Sequence, residues 1–117
     1  MKIMALADNG SILTALGNDI SYDEIFTYQL ESFADEGDIV IALSASGNSG
    51  NLVSAFNYAN EHGCHTVSII GDFNGKLGDM SELTIVIPSK NYGVIEDAHM
   101  IINHALSQKI RIQNEGE

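Results

Sequence analysis

The sequence has 117 residues, 44% hydrophobic and 18% charged, which is typical of one globular domain with a single hydrophobic core. The net charge of −11, with only five Lys and Arg residues, excludes the basic surface that nucleic acids and anionic membranes require. The apolar runs are far shorter than the ~20 residues that span a bilayer, and we expect no secretory signal peptide. The single cysteine, Cys64, favours a reducing compartment, which we expect to be the cytoplasm.

Short β-rich runs alternate with helical patterns in the first third of the chain. Ile3–Leu6 is an apolar run that we count as the first of four strands. Ser21 and Glu24 have the spacing of a capping box, which predicts that a helix begins here and ends at Gly37. The run Asp38–Leu43 is continuously apolar, as expected of a strand that is buried on both faces.

The same alternation continues to the C-terminus. A helix that ends at Gly63 is followed by the strands Thr66–Gly71 and Leu83–Pro88, and the last long helix is predicted at Val94–Leu106. We expect the domain to cover residues 1–108 and residues 109–117 to form a frayed polar tail. Strands separated by helical units of roughly 20 residues predict an α/β fold, a three-layer α/β/α sandwich with a parallel sheet.

The segment from Ser44 to Asn51 reads Ser-Ala-Ser-Gly-Asn-Ser-Gly-Asn and joins a strand to a helix, where ligands collect in an open parallel sheet. Its glycines permit close backbone approach, and its three hydroxyls and the first helical amides can donate to a phosphate. It lacks the Walker A lysine and the dinucleotide G-x-G-x-x-G spacing, so we expect a small phosphomonoester and no nucleotide cofactor. From composition alone, a plain capped helix start explains this loop almost as well.

The pattern Ser44-x-Ser46-Gly47-Asn48-Ser49 after an apolar strand resembles the phosphate-binding signature of sugar isomerase (SIS) domains. Further segments, in the same order, resemble the phosphoheptose isomerases. They are Leu13–Asp19, Ile25-Phe26 with Gln29, Gly37-Asp38, Gly71 with Gly75-Lys76-Leu77, Val86–Ser89, and Ile95–His99 with His104. The resemblance covers nearly the whole chain and implies a flavodoxin-like sheet.

The resemblance also implies a function, namely phosphosugar binding with aldose–ketose isomerisation of sedoheptulose 7-phosphate or a related sugar phosphate. In that reaction a base moves a proton between C1 and C2 through an enediol. By match, Ser44, Ser46, Asn48 and Ser49 bind the phosphate, and Asp19 reaches the sugar hydroxyls. For Asp19, a turn residue that caps its own backbone is an equally good explanation on the sequence alone.

His104 matches the family histidine that serves as acid/base or metal ligand, although a lone histidine on a partly apolar helix is more often packed in the core. Glu96 stands where the best-known isomerases have Gln, and with His104 it forms the candidate ligand pair for zinc. Eight residues separate the two, about 12 Å along a helix. Sharing an ion would require converging side chains, a distorted turn or ligands from different subunits. We expect the tract His62–His65 to be a structural turn.

The sequence departs from the family pattern in three places. Ala45 and Gly93 replace a Thr and an Asp found in some isomerases, and the family's N-terminal helices, with a His and the second acid/base Glu, have no counterpart here. We therefore expect a homo-oligomer, either dimer or tetramer, that binds phosphosugar better than it isomerises it. A non-catalytic SIS module that senses a phosphosugar or scaffolds a protein partner is the alternative. A fragment with no independent activity is a third.

Overall fold

The structure is a computed structural model that describes residues 1–116. Within this range the chain forms five α-helices, one short 3-10 helix and three β-strands. In chain order these elements are α1 (Gly10–Asp19), the 3-10 helix (Tyr22–Glu24), α2 (Thr27–Phe33), β1 (Ile39–Ser44), α3 (Gly50–Glu61), β2 (His65–Gly71), α4 (Lys76–Met80), β3 (Leu83–Ile87) and α5 (Tyr92–Glu115).

The three strands form one parallel sheet in the order β1-β2-β3. Leu43 of β1 lies beside Ile69 of β2, which in turn lies beside Ile85 of β3. Because all the strands are parallel, their carboxyl ends meet at one edge of the sheet. The predicted α/β class with a parallel sheet is therefore confirmed.

Helices cover both faces of this sheet, as a three-layer sandwich requires. On one face, Phe56 of α3 and Leu77 of α4 pack against Ala42 and Ile70. On the other face, Ile95 of α5 packs against Ile69 and Ile87. Because successive strand residues point to opposite faces, adjacent Ile69 and Ile70 serve the two separate clusters.

The prediction that Asp38–Leu43 forms a strand buried on both faces is wrong. Ile39, Ile41 and Leu43 of β1 are 65%, 54% and 50% exposed, and they share a face with the half-covered Ile85. α5 packs over β2 and the end of β3, and it leaves the β1 side of this face open. Continuous hydrophobicity indicated two apolar faces, but it did not indicate that one of them lacks a cover within residues 1–116.

The run Ile3–Leu6 is not the fourth strand that we expected. Residues 1–5 are exposed coil, and this stretch pairs with no strand among the described residues. Its contact with the rest of the fold is through Leu6 O, which accepts a hydrogen bond from Gln29 Nε2 of α2 at 2.9 Å. An apolar run becomes a strand only where a neighbouring strand supplies a hydrogen-bond ladder.

The capping box predicted at Ser21 does not form. Ser21 precedes the 3-10 helix, and its side chain makes no capping bond to any described residue. Glu24 Oε1 instead accepts a hydrogen bond from Ser54 Oγ of α3 at 3.0 Å. The predicted single helix is thus divided, because a tertiary contact with α3 captures the carboxylate that the local box required.

The frayed tail expected from residue 109 onward is also wrong for the part of the chain described. Helix α5 begins behind the cap Asn91, whose Oδ1 accepts from Val94 N at 3.3 Å, and it continues to Glu115. Gly116 then ends it in the left-handed conformation. Although α5 has 24 residues, no helix within residues 1–116 is apolar enough over a sufficient length to cross a membrane.

The tract His62–His65 forms a turn whose side chains have three different partners. His62 Nδ1 is 2.8 Å from Tyr58 O, and His65 Nδ1 is 2.7 Å from Glu82 Oε2. Cys64 is buried, with its Sγ 3.5 Å from Asp35 O. Burial, and then the nearby carboxylates of Asp38 and Asp35, raise the pKa of the Cys64 thiol.

The raised pKa of Cys64 predicts a loss of stability in alkaline solution. The unfolded chain releases this proton near pH ~8.5, before the folded protein does. The contribution to stability is thus fully present below that pH and is lost as the pH rises through the folded pKa. We expect the free energy of unfolding to fall more steeply above pH ~8.5 for the wild type than for Cys64→Ala, as measured by urea denaturation. Equal slopes for the two proteins would refute this prediction.

Candidate functional site

The loop between β1 and α3 lies at the carboxyl edge of the sheet, where ligands bind in open parallel α/β folds. β1 ends at Ser44, which pairs with Ile70 of the central strand, and α3 begins at Gly50. Residues 45–49 therefore form a short connection that starts beside the middle of the sheet. The pairing of β1 with β2 sets the position of the loop.

Two serine hydroxyls shape this loop from inside. Ser44 Oγ accepts a hydrogen bond from Gly47 N at 3.0 Å, and Ser46 Oγ accepts one from Asn48 N at 3.2 Å. Gly47 has a φ of +68°, a conformation that residues with a Cβ rarely adopt. Since each hydroxyl uses only an oxygen lone pair in these bonds, its O–H can still donate to a ligand.

The crest of the loop is open to solvent. Asn48, Ser49 and Gly50 are exposed and Ser46 is half-buried, whereas Ser44 is buried at the base. Ser49 is the N-cap of α3, but its side chain makes no capping hydrogen bond within residues 1–116. The first amides of a helix lack intrahelical acceptors and carry the positive end of the helix dipole. Hydroxyl and amide donors are therefore presented together at a solvent-accessible position.

The loop rests on the start of α4 through direct backbone contact. Gly47 O accepts a hydrogen bond from Leu77 N at 3.0 Å, and Asn48 Oδ1 accepts one from Lys76 N at 2.9 Å. A Cβ at Gly75 would lie 2.6 Å from Gly47 Cα and would collide with the carbonyl of Ser46. No side chain fits between the two backbones at this point, so Gly75 is required for the loop to lie where it does.

Asp23 is a site residue that the sequence analysis missed. A Cβ at Gly50 would lie 2.6 Å from Asp23 Oδ1, which places this carboxylate against the first turn of α3. The carboxylate stabilises the helix start, but it also brings negative charge close to the candidate anion site. No local pattern signalled this, because the contact depends on how the 3-10 helix packs on α3.

Asp19, the predicted sugar-binding residue, is the last residue of α1 and is exposed. Its Oδ1 accepts a hydrogen bond from Asn18 Nδ2 at 2.8 Å. α1 packs against the 3-10 helix, which in turn packs against α3. Asp19 therefore belongs to the layer that adjoins α3, but it has no hydrogen bond to the loop among the described residues.

Helix α5 carries His104 away from the loop. Ile95 lies against Gly71 at the carboxyl end of β2, since a side chain at Gly71 would collide with it. Four residues on, His99 Nε2 is 2.9 Å from Ile69 O, two residues back along the same strand. The helix thus runs antiparallel to β2, and His104 lies a further ~7.5 Å toward the opposite edge of the sheet. His104 is exposed, and the buried core histidine of this helix is His99.

The candidate zinc ligands do not fit a single ion within one chain. Glu96 and His104 are both exposed on α5, and they lie about 12 Å apart along its axis, more than two turns of the helix. Among residues 1–116, no three His, Cys, Asp or Glu side chains are grouped closely enough to hold a metal ion. Structural zinc sites use four ligands and catalytic sites three, so this helix alone does not make one.

The fold and this loop define an open parallel α/β protein with a loop rich in Ser, Gly and Asn at the carboxyl edge of its first strand. A family model described as SIS domain matches residues 2–71, more than half of the chain. This chain belongs to the SIS domain family. The match includes the whole segment from β1 through the loop, α3 and β2.

The relatives and solved structures agree with this assignment. The phosphoheptose isomerase of Geobacter metallireducens is 44% identical over 104 residues, which are 89% of this chain and 55% of that protein. The probable phosphoheptose isomerase of Thermoplasma volcanium is 43% identical over 110 residues, 94% of this chain and 56% of that protein. The structure of phosphoheptose isomerase from Neisseria gonorrhoeae aligns with a TM-score of 0.87 at 31% identity, over 92% of this chain and 61% of that one. The chain thus spans little more than half the length of these relatives.

The backbone contact between loop and α4 predicts that Gly75→Ala is strongly destabilising. The new methyl group would meet backbone atoms, which cannot move aside as a flexible side chain can, so we expect a loss of about 1–3 kcal/mol in the free energy of unfolding. Gly78→Ala in α4 is the matched control, because its Cβ would meet nothing closer than 3.4 Å. Urea denaturation of both variants checks this, and equal stability of the two would contradict the proposed contact.

Proposed function

We propose that the loop from Ser44 to Asn51 binds the phosphate of a sugar phosphate, and that the chain is the phosphosugar-binding part of a phosphoheptose-isomerase-like enzyme. The observation that carries this proposal is the exposed crest of the loop, where hydroxyl donors and the first amides of α3 lie together at the carboxyl edge of β1. The names of the relatives support sedoheptulose 7-phosphate as the first substrate to test.

In this proposal, Ser46 and Ser49 donate their hydroxyl hydrogens to phosphate oxygens, together with the amides at the start of α3. Ser44 holds the base of the loop through its bond from Gly47 N and can donate as well. Asp19 would accept hydrogen bonds from sugar hydroxyls. With a net charge of −11, long-range electrostatics oppose a dianion, so short-range bonds to neutral donors have to supply the affinity.

Isomerisation between an aldose and a ketose moves a proton between C1 and C2 through an enediol, which requires a base and an acid near these carbons. His104 is the residue that we propose for one of these roles. Because α5 carries it away from the loop of its own chain, His104 would act on a sugar held by a neighbouring copy. A zinc ion would likewise need ligands from more than one copy, since Glu96 and His104 are about 12 Å apart along α5.

The alternative function is a non-catalytic SIS module that binds a phosphosugar to sense it or to scaffold a partner. The separation of His104 from the loop within one chain favours it. Turnover of sedoheptulose 7-phosphate by the purified chain distinguishes the two proposals. Binding without turnover favours the module, and measurable isomerisation favours the enzyme.

We also propose that the protein works in the reducing cytoplasm, because its one cysteine is a free thiol.

The exposed side of the sheet supports self-association. We propose that a second copy covers Ile39, Ile41 and Leu43, giving a dimer or a tetramer. α5 supplies further exposed apolar side chains, Met100, Ile101 and Leu106. Burying a side chain of this size contributes about 1.5–3 kcal/mol when it starts fully exposed, so several half-exposed ones together can hold two copies. A contiguous apolar surface of this kind is uncommon on a monomer.

The phosphate-binding role predicts that Ser46→Ala combined with Ser49→Ala abolishes measurable binding of sedoheptulose 7-phosphate. Each substitution removes one hydrogen bond to a charged ligand, which contributes about 1.5–3 kcal/mol. We therefore expect at least a 100-fold loss of affinity for the double variant, measured by calorimetry. The fold should be retained, because neither hydroxyl belongs to the hydrophobic core, although the bond from Asn48 N to Ser46 Oγ is lost. Ser11→Ala with Ser32→Ala, two exposed serines on α1 and α2, is the matched control. Unchanged affinity in the loop double variant would defeat the assignment.

The uncovered sheet face predicts that the chain is not a monomer at micromolar concentration. Sedimentation velocity should detect dimers or larger species of the wild type, and Ile39→Lys with Ile41→Lys should shift the population toward monomer, because a charge cannot be buried cheaply in an apolar interface. Tyr22→Lys, at an exposed position on the 3-10 helix, is the control and should leave association unchanged. A monomeric wild type across the concentration range would count against a second copy on this face.

A further inference from the structure

We propose that Asn48 is a positioning residue and not a phosphate ligand: its side chain fastens the phosphate loop to the first turn of α4 through the backbone amide of Lys76. This inference rests on the proposed function of the loop and assigns Asn48 a different role from the one its sequence pattern implied. We call the hydrogen bond from Lys76 N to Asn48 Oδ1 the Asn48 clasp.

The hydrogen bonds of Asn48 all lie inside the protein. Its Oδ1 accepts from Lys76 N at 2.9 Å, its Nδ2 donates to Ser46 O at 3.4 Å, and its backbone N donates to Ser46 Oγ at 3.2 Å. The orientation of the amide follows from its partner, because a backbone N–H can only donate and so has to face the oxygen. The side chain thus forms a hydrogen bond at each end, with the second hydrogen of Nδ2 left over, although the residue is exposed.

The clasp also provides a hydrogen-bond acceptor for the first backbone amide of α4. Lys76 is the first residue of this helix, so its N–H has no intrahelical acceptor. Gly75 occupies the N-cap position and has no side chain with which to cap it. Asn48, which lies 28 residues earlier in the chain, supplies an acceptor for this first amide, whereas a local N-cap side chain would bind the second or third amide.

A second bond runs parallel to the clasp. The next amide of α4, Leu77 N, donates to Gly47 O at 3.0 Å. Two consecutive amides of α4 therefore bind two consecutive residues of the loop. Leu77 itself is fully buried against Phe56 and Ile70. The loop is thereby connected through α4 to the hydrophobic core, and not only to the strand and helix that flank it.

This connection matters for binding because the ligand contacts are neutral and short-ranged. Ordering a flexible residue costs about 1–2 kcal/mol in conformational entropy, and a loop that must order on binding loses affinity by that amount per residue. A loop that is already fastened to α4 avoids this cost. Loss of the clasp should therefore weaken phosphate binding without removing any group that contacts the phosphate.

The decisive variant is Lys76→Pro, which removes the clasp's N–H and places the ring carbon Cδ against Asn48 Oδ1, so that the Asn48 side chain has to leave this position. Proline is favoured at the first position of a helix, and Gly75, with φ −66° and ψ 148°, already has the extended conformation that a residue before proline needs. Lys76→Ala is the matched control, since it removes the ammonium group and keeps the N–H. Asn48→Ala removes the clasp from the loop side.

We expect Lys76→Pro and Asn48→Ala each to weaken the binding of sedoheptulose 7-phosphate by about 3- to 10-fold, and their double variant by no more than either alone. Lys76→Ala should stay within about 2-fold of the wild type. If Asn48 instead contacts the phosphate directly, Lys76→Pro keeps wild-type affinity while Asn48→Ala loses it, and the proposal is overturned.

Amide hydrogen exchange without ligand separates this inference from the proposed function. The Leu77 amide, which is retained in all of these variants, should exchange faster in Lys76→Pro and Asn48→Ala than in Lys76→Ala. If the wild type binds no sugar phosphate but this pattern is observed, the proposed function fails and the clasp stands. Leu77 exchange that is unaffected by both clasp variants would overturn the clasp whatever the affinity.

Discussion

The contact between the backbones of Gly47 and Gly75 is the constraint on which the rest of the site depends. It brings the loop after β1 onto the start of α4, and two bonds from Lys76 N and Leu77 N hold it there. The positive φ of Gly47 and the absence of a side chain at Gly75 are both required for this approach. The exposed donors at the crest are presented to solvent in a defined arrangement because the base of the loop is fixed in this way.

A strongly acidic protein that binds a phosphate has to do so locally. The net charge of −11 repels a dianion at a distance, and the carboxylate of Asp23 lies against the very helix start that would receive it. Hydroxyl hydrogens, backbone amides and the dipole of α3 act only over a few ångströms, so their value depends on being held in place before the ligand arrives. Under the proposed function, the affinity for the anion therefore depends on how firmly the loop is held before binding.

The residue proposed for proton transfer and the residues proposed for phosphate binding lie in different parts of one chain. The loop lies at the carboxyl edge of the sheet, whereas α5 takes His104 toward the opposite edge. The same helix leaves the β1 side of its sheet face uncovered. Both observations have one explanation if the functional unit contains more than one copy of the chain, in which an apolar face is covered and a histidine is supplied by a neighbour.

Local patterns were sufficient for the three strands of the sheet and for the position of the loop. Alternating periodicity predicted the three strands that form and the parallel class, and the Ser, Gly and Asn pattern after β1 identified the segment that the structure leaves open at its crest. They failed where a partner distant in sequence decides the outcome. Ser21 and Glu24 have the spacing of a cap, but Ser54 takes the carboxylate, and Ile3–Leu6 has the composition of a strand but no strand to pair with.

The sequence by itself thus determined the fold class, the site loop and the family resemblance, because these depend on residue types at short spacings. Only the tertiary structure decided that Asn48 faces α4, that Asp23 adjoins α3, and that α5 carries His104 away from the loop. Each of these is a relation between residues on different elements, or along a helix whose direction is set by its packing on the sheet. Such relations follow from how elements pack, which no local pattern encodes.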